Sequence, residues 1–265
     1  MMINIYYSLL KYKLYMSEKQ KKIWITGASS GIGKSVAEKF ANEGWKVAVS
    51  ARRKELLDEL AKNPNIVSFP LDVTNRNQIN EVFKNIIDNF GDLDICLFSS
   101  GTYEPKDEQN IDPDKIKNVI NVNFLGVIDC VKSVERYFKD KKSGHISIVS
   151  SIAGYRGLPN SSGYGPSKAA LTNFSESIYF DFKKFGVRVS VVSPGFIKTP
   201  LTDKNEFPMP FLKTPEYAAE KIFNGLVKSS AFEIHFPKGL TLTLKFLRIL
   251  PYRLYLFLVD KLVKR

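Results

Sequence analysis

Seven short apolar runs rich in β-branched residues recur along the chain, and a segment with the apolar period of an amphipathic helix separates each neighbouring pair. A run that is apolar at every position is typical of a strand buried on both faces, as in a parallel sheet that helices cover on each side. We therefore predict an α/β fold, doubly wound, with a parallel seven-stranded sheet. The predicted strands are 22–27, 46–51, 65–71, 94–98, 145–150, 187–193 and 232–236. The predicted helices lie near 32–43, 54–62, 76–90, 113–139, 162–185 and 215–229.

The length and composition fit one domain with a large core, with two small domains as the alternative. The chain has 265 residues, of which 44% are hydrophobic and 25% charged, as in ordinary globular proteins. Its net charge of +12 is concentrated at the two ends: residues 1–22 carry five lysines and one glutamate, and residues 238–265 carry seven basic residues and one aspartate. The charge is the only feature that suggests a nucleic-acid partner, and the sequence has no recognition motif, so we expect no such partner.

This distribution divides the chain into three segments. We predict an N-terminal extension at 1–21, a single α/β domain at 22–237 and a basic apolar C-terminal segment at 238–265. The first sixteen residues are apolar and aromatic but too few to span a membrane. Translation that begins at Met16 is the simplest interpretation of them, and a short surface anchor is the alternative.

The few cysteines and histidines limit the redox and metal chemistry of the chain. Cys96 and Cys130 stand in apolar runs, which predicts buried thiols in a reducing, cytoplasmic compartment. Neither has metal-ligand spacing, and His145 and His235 are the two histidines of the chain. We therefore expect no metal site.

A glycine-rich turn, TGASSGIG at 26–33, joins the first predicted strand to the first predicted helix. Glycine lets the backbone turn sharply and approach a pyrophosphate closely, and the helix N-terminus offers its amides to the phosphate charge. The position of this turn directly between strand and helix predicts a dinucleotide site.

Tyr164 and Lys168 stand four residues apart at the start of the fifth predicted helix, so that their side chains share one face. A free phenol has a pKa of about 10, and a neighbouring ammonium lowers that pKa because it favours the phenolate. Ser151 follows the fifth strand, at the sheet edge where open α/β proteins bind ligands. Together these side chains could bind and protonate a carbonyl oxygen, whereas the tyrosine–lysine pair alone is also typical of an ordinary surface helix.

The turn at 26–33, taken with YGPSK at 164–168, resembles the short-chain dehydrogenase/reductase (SDR) family, in the subfamily with TGxxxGxG and YxxxK motifs. The resemblance extends over roughly residues 20–235. It implies a Rossmann fold and an oxidoreductase that interconverts a carbonyl and an alcohol by hydride transfer with a nicotinamide cofactor.

The resemblance also implies catalytic roles for four residues. Tyr164 is the expected acid/base, and Lys168 lowers its pKa and holds the nicotinamide ribose. Ser151 is expected to bind the substrate oxygen, and it precedes Tyr164 by the thirteen residues usual in the family. Asn123 is expected to position a water that links Lys168 to solvent.

The end of the second strand decides between the two nicotinamide cofactors. NAD-binding relatives carry an acidic residue there, but this chain has Arg52 and Arg53, and a guanidinium suits a 2′-phosphate. We therefore expect NADP(H) as the cofactor and NAD(H) as the less suited alternative, although both arginines could simply solvate a helix start. The cofactor-binding residues that the resemblance implies are Gly27, Ser29, Ser30, Gly31, Ile32, Gly33, Arg52, Arg53, Asp72, Val73, Gly101, Tyr164, Lys168, Pro194, Gly195, Ile197 and Thr199.

One motif departs from the family pattern. Phe98-Ser99-Ser100-Gly101 stands where NNAG is usual, so that the two asparagines which brace the central sheet are replaced. We expect an altered local brace, in which Ser99 supplies part of the hydrogen bonding, and we expect cofactor binding to be retained.

Residues 200–214 match the position of a substrate loop. Their large apolar side chains predict an apolar pocket and a lipophilic substrate, with core contacts as the alternative; these side chains are Leu201, Phe207, Met209, Phe211 and Leu212. Family members commonly form dimers or tetramers through the helices that hold Asn123 and Tyr164, so we expect a homo-oligomer.

The C-terminal segment at 239–265 mixes large apolar side chains with basic ones, and Pro251 interrupts any helix there. This composition is typical of helices that lie in a membrane interface, so we expect a cytoplasmic protein that can be peripheral at a membrane surface. Packing on the protein's own core and a subunit contact are the alternatives. For the whole chain, the alternative to an enzyme is a cofactor-binding scaffold or redox sensor with little turnover.

Overall fold

The computed structural model of the chain describes residues 20–104 and 111–263. Seven parallel strands form one sheet in the order β3-β2-β1-β4-β5-β6-β7, which confirms the predicted sheet. The predicted start at Met16 and the extension before residue 20 lie outside the described residues. The strands are β1 (Lys22–Thr26), β2 (Lys46–Ser50), β3 (Ile66–Ser68), β4 (Ile95–Phe98), β5 (His145–Val149), β6 (Arg188–Pro194) and β7 (Glu233–Phe236).

Helices connect the strands close to the positions that the apolar period predicts. The segment predicted at 113–139 is a continuous helical stretch with a π-helical turn, Asn121–Leu125, in its middle. The helices are α1 (Gly31–Asn42), α2 (Lys54–Leu60), α3 (Arg76–Phe90), α4 (Pro113–Ile120), α5 (Gly126–Lys141), α6 (Tyr164–Lys183), α7 (Pro215–Val227), α8 (Lys238–Arg248) and α9 (Tyr252–Val263).

Two hydrophobic cores cover the two faces of the sheet, because successive strand residues point to opposite sides. Ile23 and Ile25 of β1 belong to one core, which includes residues of α1 and α7. Trp24, between them, belongs to the other core, which includes residues of α3, α5 and α6. Cys96 and Cys130 are buried free thiols in this second core, as predicted.

The strand order determines where along the sheet a ligand crevice opens. β1 is hydrogen-bonded to β2 on one side and to β4 on the other, so the order of the strands reverses at β1. The connections that leave β1 and β4 therefore run to opposite faces, and a crevice opens at the carboxyl ends of these strands. Thr26, Ser50 and Phe98 stand side by side at this edge.

The C-terminal segment forms a hairpin of two helices, α8 and α9, that packs on the α/β body. Leu247, Tyr255 and Val259 are buried in a small cluster of their own. The outer face of the hairpin carries large exposed side chains, including Phe246 at 60% and Ile249 at 77% exposure. Among residues 20–104 and 111–263, no helix is both long and apolar enough to cross a membrane.

Candidate active site

The glycine-rich turn after β1 is packed so closely that it has no room for side chains at its glycine positions. A Cβ atom on Gly33 would lie 2.4 Å from the carbonyl oxygen of Gly27, and one on Gly31 would lie 2.9 Å from Thr199. Gly27 and Gly31 also have φ angles of +70° and +55°, which favour glycine. Ser30 at the start of α1 makes no side-chain cap hydrogen bond, so the first amides of α1 keep donors for a phosphate. The turn therefore fits a pyrophosphate.

Arg53 is folded onto this turn. Its Nη2 atom donates hydrogen bonds of 2.8 Å to the hydroxyl oxygens of Ser29 and Ser30, and its Nε atom donates one of 3.2 Å to Ser29. Arg52 lines the same cavity. Two guanidinium groups thus stand at the end of β2, beside the carboxyl edge of the sheet, where an anionic group can bind.

The departure from NNAG is explained by packing in the core. Phe98 is fully buried and meets the ring of Trp24 edge to face, with the ring centroids 5.6 Å apart. The backbone amides of Ser99 and Ser100 both point to Thr26, at 3.2 and 3.3 Å from its hydroxyl oxygen. An aromatic contact of Phe98 and the hydroxyl group of Thr26 therefore hold this segment.

Asn123 lies inside the π-helical turn and is completely buried. Its Oδ1 atom accepts a 2.7 Å hydrogen bond from the amide of Thr102, and its Nδ2 atom donates to the carbonyl oxygen of Thr102 and to Ser167. Its Oδ1 atom and the Nζ atom of Lys168 both lie 3.6 Å from the position that a Cβ atom on Gly101 would take. The π turn therefore holds the Asn123 amide near the Lys168 ammonium.

Lys168 is buried and Tyr164 is partly buried, one turn apart at the start of α6. Burial raises the pKa of Tyr164 to about 12, against a smaller lowering effect of its hydrogen bond with Ser151. Burial also lowers the pKa of Lys168 to about 8, and its Nζ atom donates a 2.9 Å hydrogen bond to the carbonyl oxygen of Val149. Lys168 is thus not among the groups that lower the pKa of Tyr164 in this arrangement, and desolvation raises that pKa.

The two serines after β5 differ in their contacts. Ser150 donates a 2.7 Å hydrogen bond to the carbonyl oxygen of Lys168 and pairs with Thr172, so it ties β5 to α6. Ser151 accepts a 3.1 Å hydrogen bond from the amide of Ala153 and reaches Tyr164. Ser151 is therefore the serine that stands beside the tyrosine, as its spacing predicts.

A first cavity of about 350 Å³ connects the glycine-rich turn with Tyr164 and Lys168. Most predicted cofactor-binding residues line it. Those that do are Gly27, Ser29, Ser30, Gly31, Ile32, Gly33, Arg52, Arg53, Asp72, Val73, Gly101, Tyr164, Lys168, Pro194 and Thr199. Its lining includes both the glycine-rich turn and the tyrosine, as a dinucleotide site requires.

Two predicted cofactor-binding residues do not line this cavity. Gly195 lines the second cavity described below, and the side chain of Ile197 is buried in the core against α7. Ile197 pairs with Lys213 in an isolated parallel bridge, and this pairing turns its side chain inward.

A second cavity, of about 810 Å³, shares Tyr164 with the first. Ser151 also lines it, and the rest of its wall is mainly apolar. Leu201, Phe207 and Met209 contribute, as predicted from the loop at 200–214. Phe211 and Leu212 do not: they are exposed, because the left-handed backbone at Phe211, with φ of +59°, turns this part of the loop outward.

Sequence reasoning missed several residues of the two cavities. Tyr103 meets Tyr164 edge to face, with the centroids 5.5 Å apart, and Lys204 lines the first cavity and donates to the carbonyl oxygen of Tyr103. The helical hairpin at the C-terminus supplies Leu240, Leu244, Leu247 and Val259 to the second cavity. The apolar period of the segment predicts a buried face, but only tertiary packing decides which cavity that face meets.

Comparison with known proteins gives the family context of this site. A family model described as short chain dehydrogenase matches residues 21–208. An uncharacterized oxidoreductase from Myxococcus xanthus is 33% identical over 236 residues, which cover 87% of this chain and 93% of that protein. The 3-oxoacyl-[acyl-carrier-protein] reductase FabG of Thermotoga maritima is 34% identical over 68% of this chain and 75% of its own length.

Solved structures with bound cofactors share the fold. ElxO with NADP bound superposes with a TM-score of 0.74 at 28% identity, over 84% of this chain and 99% of ElxO. An SDR protein from Burkholderia phymatum in complex with NAD has a TM-score of 0.77 at 22% identity, over 85% of this chain and 92% of that one. The neighbours thus include binders of both nicotinamide dinucleotides.

Proposed function

The chain belongs to the short-chain dehydrogenase family, and we propose that it is an NADP(H)-dependent oxidoreductase that interconverts a carbonyl and an alcohol on a lipophilic substrate. The observation that carries the proposal is the position of Tyr164, which lines both cavities. A phenol at this junction can exchange a proton with a substrate in the larger cavity while the cofactor lies in the smaller one. FabG, a relative named as a 3-oxoacyl reductase, supports the reaction class.

The residues around the junction divide the acid–base work. A bound nicotinamide dinucleotide supplies the hydride for reduction or accepts it in oxidation. Tyr164 donates its phenolic proton to the substrate oxygen in reduction and takes it back in oxidation. Tyr164 is protonated at neutral pH, as an ordinary phenol is, and its raised pKa makes it a weaker acid, so proton transfer depends on stabilisation of the phenolate. Ser151 hydrogen-bonds the same oxygen and stabilises the charge that develops there.

Lys168 and Asn123 support this proton transfer. The Lys168 ammonium lies 5.6 Å from the centroid of the Tyr164 ring, so its charge favours the phenolate when the tyrosine gives up its proton. Lys168 also lines the cofactor cavity, where it would hold the ribose hydroxyls. Asn123, whose amide lies near Lys168, would position a water that returns the proton from solvent.

We assign NADP(H) as the cofactor because of the two arginines after β2. A 2′-phosphate there would meet the guanidinium of Arg53, already anchored on Ser29 and Ser30, and that of Arg52 beside it. The structure of ElxO with NADP supports the same choice. NAD(H), which lacks this phosphate, would leave both cations without an anionic partner.

A lipophilic substrate is supported by the wall of the second cavity. Apart from Ser151 and the two tyrosines, most of its lining comes from aliphatic, aromatic, proline and methionine side chains. Binding in such a cavity gains from the burial of apolar substrate surface.

We further propose a homo-oligomer formed through the helices that hold Asn123 and Tyr164. Leu125 of the π turn and Phe180 of α6 are 47% and 65% exposed, and Leu125 lines a shallow apolar groove with Ile116 and Ile120 of α4. Large apolar side chains on these helices favour burial against a second copy.

We also propose that the protein makes peripheral contact with an anionic membrane surface. Phe246 and Ile249 project from the hairpin next to the exposed Arg248. Phe211, whose strained backbone presents an aromatic ring outward, lies against Gly239 at the start of α8. Apolar and basic side chains on one exposed face are what an interfacial helix presents to anionic lipid.

The direct test is fluorescence titration of the purified protein with NADPH and NADH, followed by turnover with a panel of ketones and aldehydes. The proposal predicts tighter binding of NADPH and turnover that favours hydrophobic carbonyls. Preference for NADH would refute the cofactor assignment. A preference for small polar carbonyls would refute the substrate class, and binding without any turnover would favour a scaffold or sensor.

A further inference from the structure

The loop that connects Ser151 with Tyr164 also holds the C-terminal hairpin in place. Arg156 stands near the middle of this loop and is partly buried. Its Nη1 atom lies 3.1, 3.1 and 2.7 Å from the carbonyl oxygens of Leu247, Arg248 and Leu250, at the end of α8. The last carbonyl groups of a helix have no partner within the helix, so the guanidinium acts as a charged cap on α8.

The same guanidinium also contacts α9. Its central carbon lies 4.0 Å from the ring centroid of Tyr255 and 4.6 Å from that of Tyr252, distances at which a cation is attracted to an aromatic face. The Tyr255 hydroxyl donates a 2.6 Å hydrogen bond to the carbonyl oxygen of Gly157, next to Arg156. One short stretch of the loop therefore holds both helices.

The helices that Arg156 contacts also supply residues to the wall of the second cavity. Leu247, whose carbonyl oxygen faces Arg156, lines the second cavity with its side chain. Val259, one helical turn after Tyr255, lines it as well. A change in the contacts of Arg156 would thus move the part of the wall that α8 and α9 supply, without a direct contact between Arg156 and the substrate.

A second set of contacts, which begins at the residue before Arg156, attaches α8 to the sheet. The Tyr155 hydroxyl donates a 2.6 Å hydrogen bond to Glu233 on β7, and Lys245 of α8 forms an ion pair with the same carboxylate. This set fixes the middle of α8 on the sheet. Arg156, by contrast, contacts the end of α8 and the start of α9.

We propose that Arg156 is a positioning residue for substrate specificity: it holds the α8–α9 hairpin against the substrate cavity and so favours long apolar carbonyl compounds over short ones. The inference rests on the proposed function for the identity of the cavity. A substrate whose oxygen lies at Tyr164 and Ser151 can reach Leu247 and Val259 only with its non-reacting chain. Loss of the wall should therefore weaken the binding of long chains and leave short ones nearly unchanged.

Two fluorescent ketones test this selectivity by binding alone. Prodan and laurdan carry the same naphthalene ketone and differ only in the length of the acyl chain. Both are titrated into the full-length protein with saturating NADP⁺ and without lipid. For Arg156→Ala we expect laurdan to bind about tenfold more weakly, because its long acyl chain loses part of its apolar contact with the α8–α9 wall, and prodan to bind less than about threefold more weakly. Arg156→Lys, which keeps the charge but not the planar fork, should restore part of the laurdan affinity.

The matched control is Arg253→Ala, which removes the same charge from an exposed position on α9 and should change neither affinity. An equal loss of both ligands in Arg156→Ala would show a merely structural role and overturn the inference, as would no loss of either. Because the readout is binding, the proposed function can fail separately: a wild-type protein that selects laurdan but reduces no carbonyl would refute the reaction and leave the role of Arg156 standing.

Discussion

The Lys168 ammonium lies over the ring of Tyr164, with 5.6 Å between Nζ and the ring centroid. Nζ is held there by a 2.9 Å hydrogen bond to the carbonyl oxygen of Val149 on β5. In this arrangement burial governs both pKa values, raising that of Tyr164 to about 12 and lowering that of Lys168 to about 8. Burial of the Lys168 charge should therefore cost the fold stability, and this cost can be measured.

Lys168→Met should stabilise the folded protein at neutral pH. The pKa of Lys168 is about 8 when folded against 10.5 in its reference state, so the unfolded chain binds more protons between these pH values. The buried charge therefore costs the fold about 3 kcal/mol below pH 8, and the cost disappears as the pH rises towards 10.5. Urea unfolding at about pH 7 and about pH 9.5 should show a gain for the variant that shrinks at the higher pH. Lys84→Met, at an exposed site, is the control, and a less stable Lys168→Met at neutral pH would contradict the account.

Phe98→Asn, which restores the usual family residue, should destabilise this chain. The substitution removes a fully buried ring that packs on Trp24 and buries an amide in its place, so we expect a loss of roughly 3–5 kcal/mol. Phe257→Asn, at an exposed position on α9, should change stability by less than about 0.5 kcal/mol. Equal unfolding midpoints for Phe98→Asn and the wild type would show that the asparagine brace fits this core after all.

The double variant Arg52→Ala/Arg53→Ala should lose NADPH affinity selectively. Two charged donors to a 2′-phosphate are removed, and we expect about 10- to 100-fold weaker NADPH binding. Binding of NADH should change by less than about threefold. Lys54→Ala, the neighbouring cation that pairs with Asp58, serves as the control. A parallel loss of both cofactors would mean that the arginines only maintain the turn through Ser29 and Ser30.

Membrane contact should depend on the outer face of the hairpin. Phe246→Ser/Ile249→Ser removes two exposed anchors, so this variant should no longer sediment with vesicles that contain phosphatidylserine, whereas the wild type should. Leu56→Ser, at an exposed leucine on α2, is the control that should still sediment. If neither the wild type nor the double variant sediments, the membrane proposal is refuted.

Local patterns along the chain were sufficient to predict the sheet, most helices and the glycine-rich turn. Strand burial and helical period are properties of neighbouring residues, and the turn places Gly27 and Gly33 within contact distance without help from distant parts of the fold. The spacing of Ser151, Tyr164 and Lys168 likewise follows from one strand end and one helix.

Features that depend on distant contacts could not be predicted in this way. The π turn at Asn123, the inward side chain of Ile197 and the outward turn at Phe211 are all set by tertiary packing. The same holds for the hairpin: its apolar period predicts that one face is buried, but Arg156 lies almost one hundred positions earlier in the chain. Contacts over this separation cannot be read from periodicity.

The central claim is that Tyr164 transfers the proton in a carbonyl–alcohol interconversion, and Tyr164→Phe tests it most directly. The measurement is the turnover of a hydrophobic ketone with NADPH, made together with a titration of NADPH binding. We predict a kcat about 10²- to 10⁴-fold lower than that of the wild type, with unchanged NADPH affinity, while Tyr179→Phe, on the same helix, keeps full activity. A Tyr164→Phe variant that turns over as fast as the wild type would contradict the account.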